Sequence, residues 1–237
     1  MRVLGFLAIS LWLVVDPAQS QAGPLPRFRP ALPATGPAGL INQIDREGLL
    51  KKGQKEVSVM FCCGITTSGG ILWSRTYRAT PGGAALKAEL ERCLEKARFS
   101  PAVYEHQPIQ AVYFGTVVFG VVDNKPRLRI FGNQEISELL KENDFIGPQP
   151  IIGAGSKFTA LHYPENISVV ISGLGYLVLK IDDAGNLQDL QIMAEDPPLS
   201  GFGSVAAVDF HGAKFIPAFR DGDPVSSNIT LPVFYEP

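Results

Sequence analysis

Two stretches of this 237-residue chain resemble each other at a constant separation of 116 residues. Residues 97–102 read Ala-Arg-Phe-Ser-Pro-Ala, and residues 213–218 read Ala-Lys-Phe-Ile-Pro-Ala. The same separation joins six further pairs of identical or similar residues: Gly69 with Gly185, Ile71 with Leu187, Pro108 with Pro224, Ile109 with Val225, Val117 with Val233, and Phe119 with Tyr235. Agreement at one spacing without a gap predicts that a single structural unit occurs twice in the chain.

Each copy contains the pattern of a β-hairpin. In residues 177–182, the apolar side chains at odd positions give the period of a strand with one buried face. Residues 183–186 read Asp-Ala-Gly-Asn, which predicts a turn, and residues 187–193 form the predicted returning strand. The first copy has the same three parts: inward residues Phe61, Cys63 and Ile65, a turn at 68–70, and a returning strand at 71–78.

A helix is predicted after each hairpin. In the first copy, Thr80 and Pro81 have the residue types of a helix N-cap and a first helical residue. The apolar face that follows has one spacing in both copies: Leu86, Leu90, Leu94 and Ala97 in the first, and Phe202, Ala206, Phe210 and Ala213 in the second. Alternating residues at 109–119 and 225–235 predict closing strands. The sequence therefore predicts an α+β fold of two tandem β-β-α-β modules, each a small antiparallel sheet covered by one helix.

The repeat divides the chain into five segments. We expect a signal peptide at 1–22, a proline-rich leader and N-terminal segment at 23–49, and the first module at 50–122. A connecting segment follows at 123–154, and the second module occupies 155–237. The leader has five prolines within its first sixteen residues, a composition typical of either a stiff extended arm or a disordered tail.

The first 22 residues have the features of an export signal. Arg2 supplies a positive charge, residues 3–15 form an apolar run, and small residues near position 20 offer a cleavage site. Thirteen apolar residues are fewer than the ~20 that a membrane-spanning helix needs, which favours cleavage over an uncleaved anchor. We therefore expect a periplasmic or secreted protein that begins near Gln21 or Gly23 and has no later membrane span.

The charge of the chain argues against two classes of partner. The formal net charge is -2, from 21 basic and 23 acidic residues, and no dense basic tract occurs. Nucleic acids and anionic lipids are bound through clustered lysine and arginine, so neither is an expected partner. The glycine pairs at 153–155 and 173–175 lack the third glycine of a nucleotide-binding loop, and we expect no cofactor.

The second copy carries a series of motifs in a fixed order. A Tyr-Pro opening is followed by a strand, a glycine turn, a strand, a helix ending in Phe-x-Pro-Ala, and Gly-x-Pro-Val before a closing strand. These motifs stand at Tyr163-Pro164, 175–182, 185–187, Ala206, 215–218, 222–225 and 231–234. The series resembles the C-terminal domain of the TonB energy transducers. The first copy, at about 50–120, matches only from its hairpin onward and lacks a clear Tyr-Pro opening.

The resemblance implies a three-stranded antiparallel sheet covered by a helix, which binds outer-membrane proteins by adding their strand to a sheet edge. The transducers also have an uncleaved membrane helix and a long spacer rich in proline, lysine and glutamate, and we expect neither here. A proline-rich leader of sixteen residues spans only ~50 Å, so energy transduction is not expected.

We expect the function to be protein binding at the edge of the closing strand. An unpaired strand edge exposes backbone groups with which another strand can pair. The expected partner is a protein of the cell envelope, either an outer-membrane protein or a second copy of this chain. The candidate binding residues belong to the closing strand: Ser227, Asn228, Ile229, Thr230, Leu231, Val233 and Tyr235.

The three cysteines, Cys62, Cys63 and Cys93, favour a disulfide over a metal site. Adjacent residues of a strand point to opposite faces, so Cys62 and Cys63 are not expected to bind one ion together. Cys63 has the inward register of its strand, and Cys93 lies beside the apolar face of the helix. In an oxidising compartment this predicts a Cys63–Cys93 disulfide, with Cys62 as the alternative partner of Cys93.

The sequence contains no familiar enzyme motif. His106, His162 and His211 are spread over a loop, a strand entry and a helix end, and no Gly-x-Ser-x-Gly occurs. We therefore expect a non-enzymatic protein without catalytic residues. The competing hypothesis is a periplasmic hydrolase with a polar pocket between the modules, for which these histidines are the candidates.

Overall fold

A computed structural model describes residues 23–141, 144–165 and 171–236 of the chain. The predicted signal peptide at 1–22 lies outside the described residues. Two larger antiparallel sheets dominate the described part; the longest helix packs on the first, which two short helices also contact, and one helix packs on the second. Smaller two- and three-stranded sheets accompany them.

The first half of the chain contains a short arm, a long hairpin, a helix and further strands. Its helices are α1 (Leu40–Gln43), α2 (Arg46–Lys51) and α3 (Ala84–Leu94). Its strands, in chain order, are β1 (Phe28–Arg29), β2 (Leu32–Pro33), β3 (Val57–Ile65), β4 (Ile71–Ala79), β5 (Phe99–Ser100), β6 (Ala102–Tyr104), β7 (Gln107–Ile109), β8 (Ala111–Val122) and β9 (Lys125–Phe131).

The second half has a similar composition of elements. Its helices are α4 (Ile136–Leu139) and α5 (Phe202–Phe210). Its strands are β10 (Phe145–Ile146), β11 (Gln149–Pro150), β12 (Gly173–Ile181), β13 (Leu187–Asp196), β14 (Phe215–Ile216), β15 (Ala218–Arg220), β16 (Asp223–Val225) and β17 (Ser227–Tyr235). None of the helices within the described ranges is long and apolar enough to cross a membrane.

The strand order separates two larger sheets from four smaller ones. The first sheet has the order β4-β3-β8-β9, and the second has the order β13-β12-β17. The smaller sheets are β1-β6-β7, β2-β5, β10-β15-β16 and β11-β14. The chain is therefore a mixed, sheet-rich fold with few helices, which confirms the predicted α+β class and its small antiparallel sheets.

The residues that were predicted to face the helices form the cores. Phe61, Cys63 and Ile65 of β3 are fully buried, as are Leu177, Leu179 and Ile181 of β12. The predicted helix faces are at most 3% exposed in both halves: Leu86, Leu90, Leu94, Ala97, Phe202, Ala206, Phe210 and Ala213. Burial of one such leucine or phenylalanine contributes about 1.5–3 kcal/mol, so these faces position α3 and α5 on their sheets.

Helix α3 begins later than the sequence predicts. The Oγ1 atom of Thr80 accepts a hydrogen bond from the N–H of Ser58 at 2.9 Å and does not cap the helix. Gly82 has a φ of 84°, which interrupts helical geometry, and the first helical residue is Ala84. The predicted Thr80 N-cap is therefore wrong.

The proline-rich segment is an ordered arm in the described structure. Phe28 of β1 pairs with Tyr104, and Leu32 of β2 pairs with Ser100. Between these strands, the N–H of Ala31 donates to the Gln149 side chain at 2.8 Å, and the Gln149 amide donates back to the Ala31 carbonyl at 2.9 Å. These contacts support the stiff-arm interpretation over the disordered tail.

The two halves of the chain share their cores. Ile216 and Phe219 of the second half belong to the apolar cluster around α3. Cys62 and Val112 of the first half belong to the cluster around α5. The face of the first sheet that is turned away from α3 is therefore covered by the second half of the chain.

Candidate functional site

A groove of about 600 Å³ lies between the two larger sheets. One wall is the end of β17, residues 232–236. The opposite wall is the first sheet, with Trp73 of β4 and Phe114 of β8. The third wall is the loop 158–163, which precedes the second sheet. We call this site the intersheet groove; its volume falls in the range of ~300–1,000 Å³ that is usual for ligand pockets.

The intersheet groove runs along a strand edge. Five consecutive residues of β17 and its end, 232–236, line it. Successive side chains of a strand point to opposite faces, so a pocket on one face would contact only alternate residues. The strand order β13-β12-β17 also places β17 at the border of its sheet. The groove therefore gives access to the backbone of β17.

The direction of the β17 backbone groups follows from one hydrogen bond. The N–H of Thr230 donates to the Glu135 carboxylate at 2.5 Å and therefore does not pair with β12. Backbone groups alternate in direction along an antiparallel strand, so those of Asn228, Pro232 and Phe234 also point away from β12. Proline has no N–H, which leaves Phe234 as the residue of β17 whose N–H faces the groove.

An ion pair lies at the groove wall. Arg75 Nη1 of β4 is 2.8 Å from Glu236 Oε2 beyond the end of β17. Both side chains are more than one-third exposed, so the pair stabilises the fold by at most about 1 kcal/mol. Its main effect on the site is that these two charges neutralise each other and leave the groove walls mainly apolar.

The predicted binding strand is located at a sheet edge, but only part of its edge is open. Ile229, Leu231, Val233 and Tyr235 are buried residues, and Glu135 occupies the outward N–H of Thr230. The accessible edge lies further toward the end, at 232–236. The prediction omitted Pro232 and Phe234. Pro232 was a usable signal, since proline within a strand indicates an edge.

The loop of the groove is held by a buried carboxylate. Asp209 of α5 accepts the backbone N–H of His162 at 2.9 Å and lies 2.6 Å from His162 Nδ1. The hydroxyl of Tyr235 donates to the same carboxylate at 3.5 Å. The Asp209 side chain is 2% exposed, whereas that of His162 is 71% exposed. Asp209 thus anchors the groove loop to both α5 and β17.

Of the three histidines named for the hydrolase hypothesis, His162 is paired with the carboxylate of Asp209. His106 lies against the carbonyl of Leu25, and His211 ends α5, so the three histidines do not converge. The thiol in the groove wall is Cys62, and burial raises its pKa to about 12. A thiol with this pKa is protonated at neutral pH and is a poor nucleophile. Within the described ranges, no group of three or more His, Cys, Asp or Glu is placed to hold a metal ion.

The predicted Cys63–Cys93 disulfide is wrong, because Cys62, Cys63 and Cys93 are all free thiols. Cys93 Sγ donates to the carbonyl of Gln43 at 3.2 Å, so the sulfur is directed at the end of α1. Cys63 is fully buried on the face of β3 toward α3. The helix face was predicted correctly, but Cys93 lies at its edge and contacts the N-terminal helices instead of the sheet.

We expect reduction to leave the stability of the protein unchanged. Dithiothreitol should not shift the melting temperature, because no disulfide constrains the chain. Burial raises the pKa of the Cys62 and Cys63 thiols well above the ordinary value for cysteine, and it raises the pKa of Cys93 to about 11. A disulfide reagent should therefore react slowly with the native protein. In denaturant, three thiols should react rapidly. A drop in melting temperature on reduction would contradict this.

The intersheet groove is thus defined by an open strand edge, mainly apolar walls and one neutralised ion pair. Among the described residues, no group of three or more His, Cys, Asp or Glu is placed to hold a metal ion, and burial raises the pKa of the groove thiol, Cys62. Comparisons of the chain with protein-family models, with curated proteins and with solved structures found no match.

Proposed function

We propose that this chain is an exported, non-enzymatic protein of the cell envelope that binds a protein partner by strand addition at the edge of β17. The observation that carries the proposal is that residues 232–236, at the border strand of the second sheet, line the intersheet groove. An unpaired edge beside an apolar cleft supplies both backbone pairing and side-chain pockets, which are the two requirements of this binding mode.

We further propose that the chain contains two tandem copies of one β-β-α-β unit. The strands β3, β5, β6 and β7 have counterparts in β12, β14, β15 and β16 that begin and end 116 residues later. The register shifts in each hairpin also fall at equivalent places, after Met60 and Gly64 and after Tyr176 and Lys180. Equal spacing of strands and irregularities supports a duplication, since unrelated hairpins share neither.

One turn contact supports the duplication at atomic detail. The N–H of Phe99 donates to the Gly69 carbonyl at 2.9 Å, and the N–H of Phe215 donates to the Gly185 carbonyl at 2.9 Å. The two glycines have φ values of 80° and 81°. Each hairpin turn is therefore tied to the strand after its helix in the same way.

The proposed copies are longer than the modules that the sequence predicts. β1 and β2 pair with β6 and β5, as β10 and β11 pair with β15 and β14. The second set lies 117 residues after the first. We propose that the copies open at these strands, so that part of the leader at 23–49 and part of the connecting segment at 123–154 belong to them.

The TonB-like resemblance enters the proposal as a binding mode and not as an energy-coupling role. It suggests that the partner is a protein of the cell envelope that supplies an extended segment. In the first copy, β9 pairs with β8 and covers its edge. In the second copy, no strand of the described chain pairs with β17 on its groove side. This difference supports one binding site per chain.

The replacement Phe234→Pro tests the function at one backbone atom. We expect capture of partners from envelope extract by the immobilised full chain to fall at least about tenfold, because the N–H that faces the groove is removed. The pairing of β17 with β12 should persist, since this N–H points away from β12. Co-eluting proteins are quantified by mass spectrometry, and circular dichroism checks the fold.

Two matched variants separate backbone from side-chain effects. Phe234→Ala keeps the N–H and should retain capture, while Asn228→Pro removes an outward N–H outside the groove and should also retain it. Equal capture by the wild-type chain and by Phe234→Pro would show that the β17 edge is not used. Deletion of 227–237 is a poor test, because Ile229, Leu231, Val233 and Tyr235 are part of the core.

A further inference from the structure

Resting on the proposed strand addition, we infer that the segment accepted by the intersheet groove is a short, uncharged strand that is apolar on both faces and antiparallel to β17. The groove has two walls on opposite sides of the β17 edge, and both are mainly apolar. This distinguishes the partner segment from an ordinary amphipathic edge strand, which has one apolar and one polar face.

The first half of the chain contains a strand in the equivalent position. β9 lies antiparallel beside β8 and pairs with residues 116–122. The groove-lining residues 232–235 of β17 are the counterparts of residues 116–119 of β8 at the spacing of the repeat. β9 therefore supplies an internal template for the position and direction of a strand in the groove.

The wall on the α5 side is aromatic. Phe158 of the loop stacks on Phe210 of α5, with ring centroids 4.5 Å apart. The ring of Tyr163 also lines this side, and its hydroxyl already donates to the carbonyl of Ile171 at 2.5 Å. Residues of a bound strand that point to this side would meet these rings together with Ala160 and Leu161, and Thr159 is the polar residue of the loop in this wall.

The wall on the side of the first sheet is mainly apolar, and its polar members are Arg75 and Gln110. Val112 and Phe114 of β8 and Leu72 and Trp73 of β4 line it. The indole of Trp73 lies across Gly64, at the position where a side chain would otherwise project from β3. Alternate residues of a bound strand point to this wall, so a charged residue there would lose its hydration without a partner.

The template strand itself does not meet this requirement. In β9, Leu128 is buried, whereas Arg127 and Arg129 on the opposite face are exposed. β9 covers a sheet edge whose outer side is open to solvent, so one polar face suffices there. The groove has a mainly apolar wall on each side, and the charges of Arg75 and Glu236 in it already neutralise each other.

The open edge also sets the length of the bound strand. Residues 232–236 cover about 17 Å at the rise of an antiparallel strand, which matches a partner strand of about five residues. One N–H of this edge, that of Phe234, is available to a partner carbonyl. The carbonyls of Pro232 and Phe234 point the same way and can accept partner N–H groups. Apolar side chains supply the rest of the affinity, in line with the composition of the walls.

Two peptides test the inference. The first has the sequence of Lys125–Phe131, and the second is the same peptide with the substitutions R127V and R129V, which make both faces apolar. Trp73 reports binding in the full chain carrying Trp12→Phe, because these are the two tryptophans of the protein. We expect a blue shift of Trp73 emission and at least about tenfold tighter binding for the apolar peptide.

Groove variants show where the peptide binds. Leu72→Glu places a charge in the groove wall and should weaken binding of the apolar peptide at least about tenfold. Met193→Glu is the matched control, since Met193 is 57% exposed and Leu72 is 51% exposed, but Met193 lies on β13 outside the groove. Phe234→Pro should also abolish binding of the peptide.

The outcomes separate this inference from the proposed function. Equal or tighter binding of the Lys125–Phe131 peptide, or no binding of the apolar peptide, overturns the inference. If partner capture still depends on the Phe234 N–H in either case, strand addition survives with a different kind of segment. Peptide binding that is unaffected by Phe234→Pro and Leu72→Glu places the peptide elsewhere and also overturns the inference.

Discussion

Alanine at Gly185 is expected to destabilise the protein by about 2–5 kcal/mol, and alanine at Gly69 by a similar amount. Gly185 has a φ of 81°, a left-handed conformation that is unfavourable for residues with a side chain. A Cβ atom at Gly185 would overlap the carbonyl oxygen of Phe215, and one at Gly69 would overlap that of Phe99. Both carbonyls are backbone atoms of paired strands, so neither moves aside without loss of pairing.

Gly222→Ala is the matched control for these two variants. Gly222 has a φ of 92°, but nothing lies within 4 Å of the position of its Cβ. Its replacement should cost only the conformational term of about 1–2 kcal/mol. Urea denaturation measures all three values. A cost at Gly69 or Gly185 no greater than that at Gly222 would contradict the overlap with the backbone carbonyl at that turn, and clearly unequal costs at Gly69 and Gly185 would contradict the proposed equivalence of the two turns.

Alanine at Phe215 should destabilise the protein by about 3–5 kcal/mol, and alanine at Phe99 should have a comparable effect. Phe215 is fully buried and Phe99 is 4% exposed, so either change leaves a cavity. The larger consequence concerns cooperativity. Because each apolar cluster contains residues from the other half of the chain, we expect a single unfolding transition in both variants.

Trp73 makes this expectation testable, because it lies in the first half of the chain. Phe215→Ala should shift the Trp73 fluorescence transition and the far-ultraviolet circular dichroism transition together to lower denaturant. Val208→Ala, at a helix position that is 74% exposed, should change stability by less than about 0.5 kcal/mol. A Trp73 transition that stays in place while the circular dichroism signal splits would show that the halves unfold independently.

The local part of the fold was predictable because it depends on short periodic patterns. Burial of Leu177, Leu179 and Ile181 follows from alternation, and burial of the helix faces follows from a spacing of three to four residues. Both patterns recur in the two copies at the same positions, which made these predictions stronger than a pattern seen in one copy. The start of α3 was missed, since a turn at Gly82 and Gly83 separates Thr80 from the helix.

The pairing of distant segments was not predictable from such patterns. The arm pairs Phe28 with Tyr104, and no local signal in a proline-rich segment identifies a partner that far along the chain. The direction of Cys93 toward Gln43 depends in the same way on where α1 packs. Neither the partner of the arm nor the direction of Cys93 could be predicted, because composition and periodicity indicate which face is buried and not what covers it.

The candidate site was predicted in part, for a related reason. The closing strand was expected at a sheet edge, and it lies there. The groove beside it is formed by the packing of two sheets, and its far wall at Trp73 and Phe114 is distant from β17 in sequence. The Glu135 carboxylate also occupies the outward N–H of Thr230 on this edge, which the strand pattern does not reveal.

Hydrogen exchange at two equivalent amides distinguishes an open β17 edge from a closed one. Val118 pairs with Arg129 of β9, whereas its counterpart Phe234 faces the groove. We expect slow exchange of the Val118 amide and fast exchange of the Phe234 amide in the protein alone, with Phe234 becoming protected when the apolar peptide is added. A Phe234 amide that is already as protected as Val118 without peptide would contradict an open, strand-accepting edge.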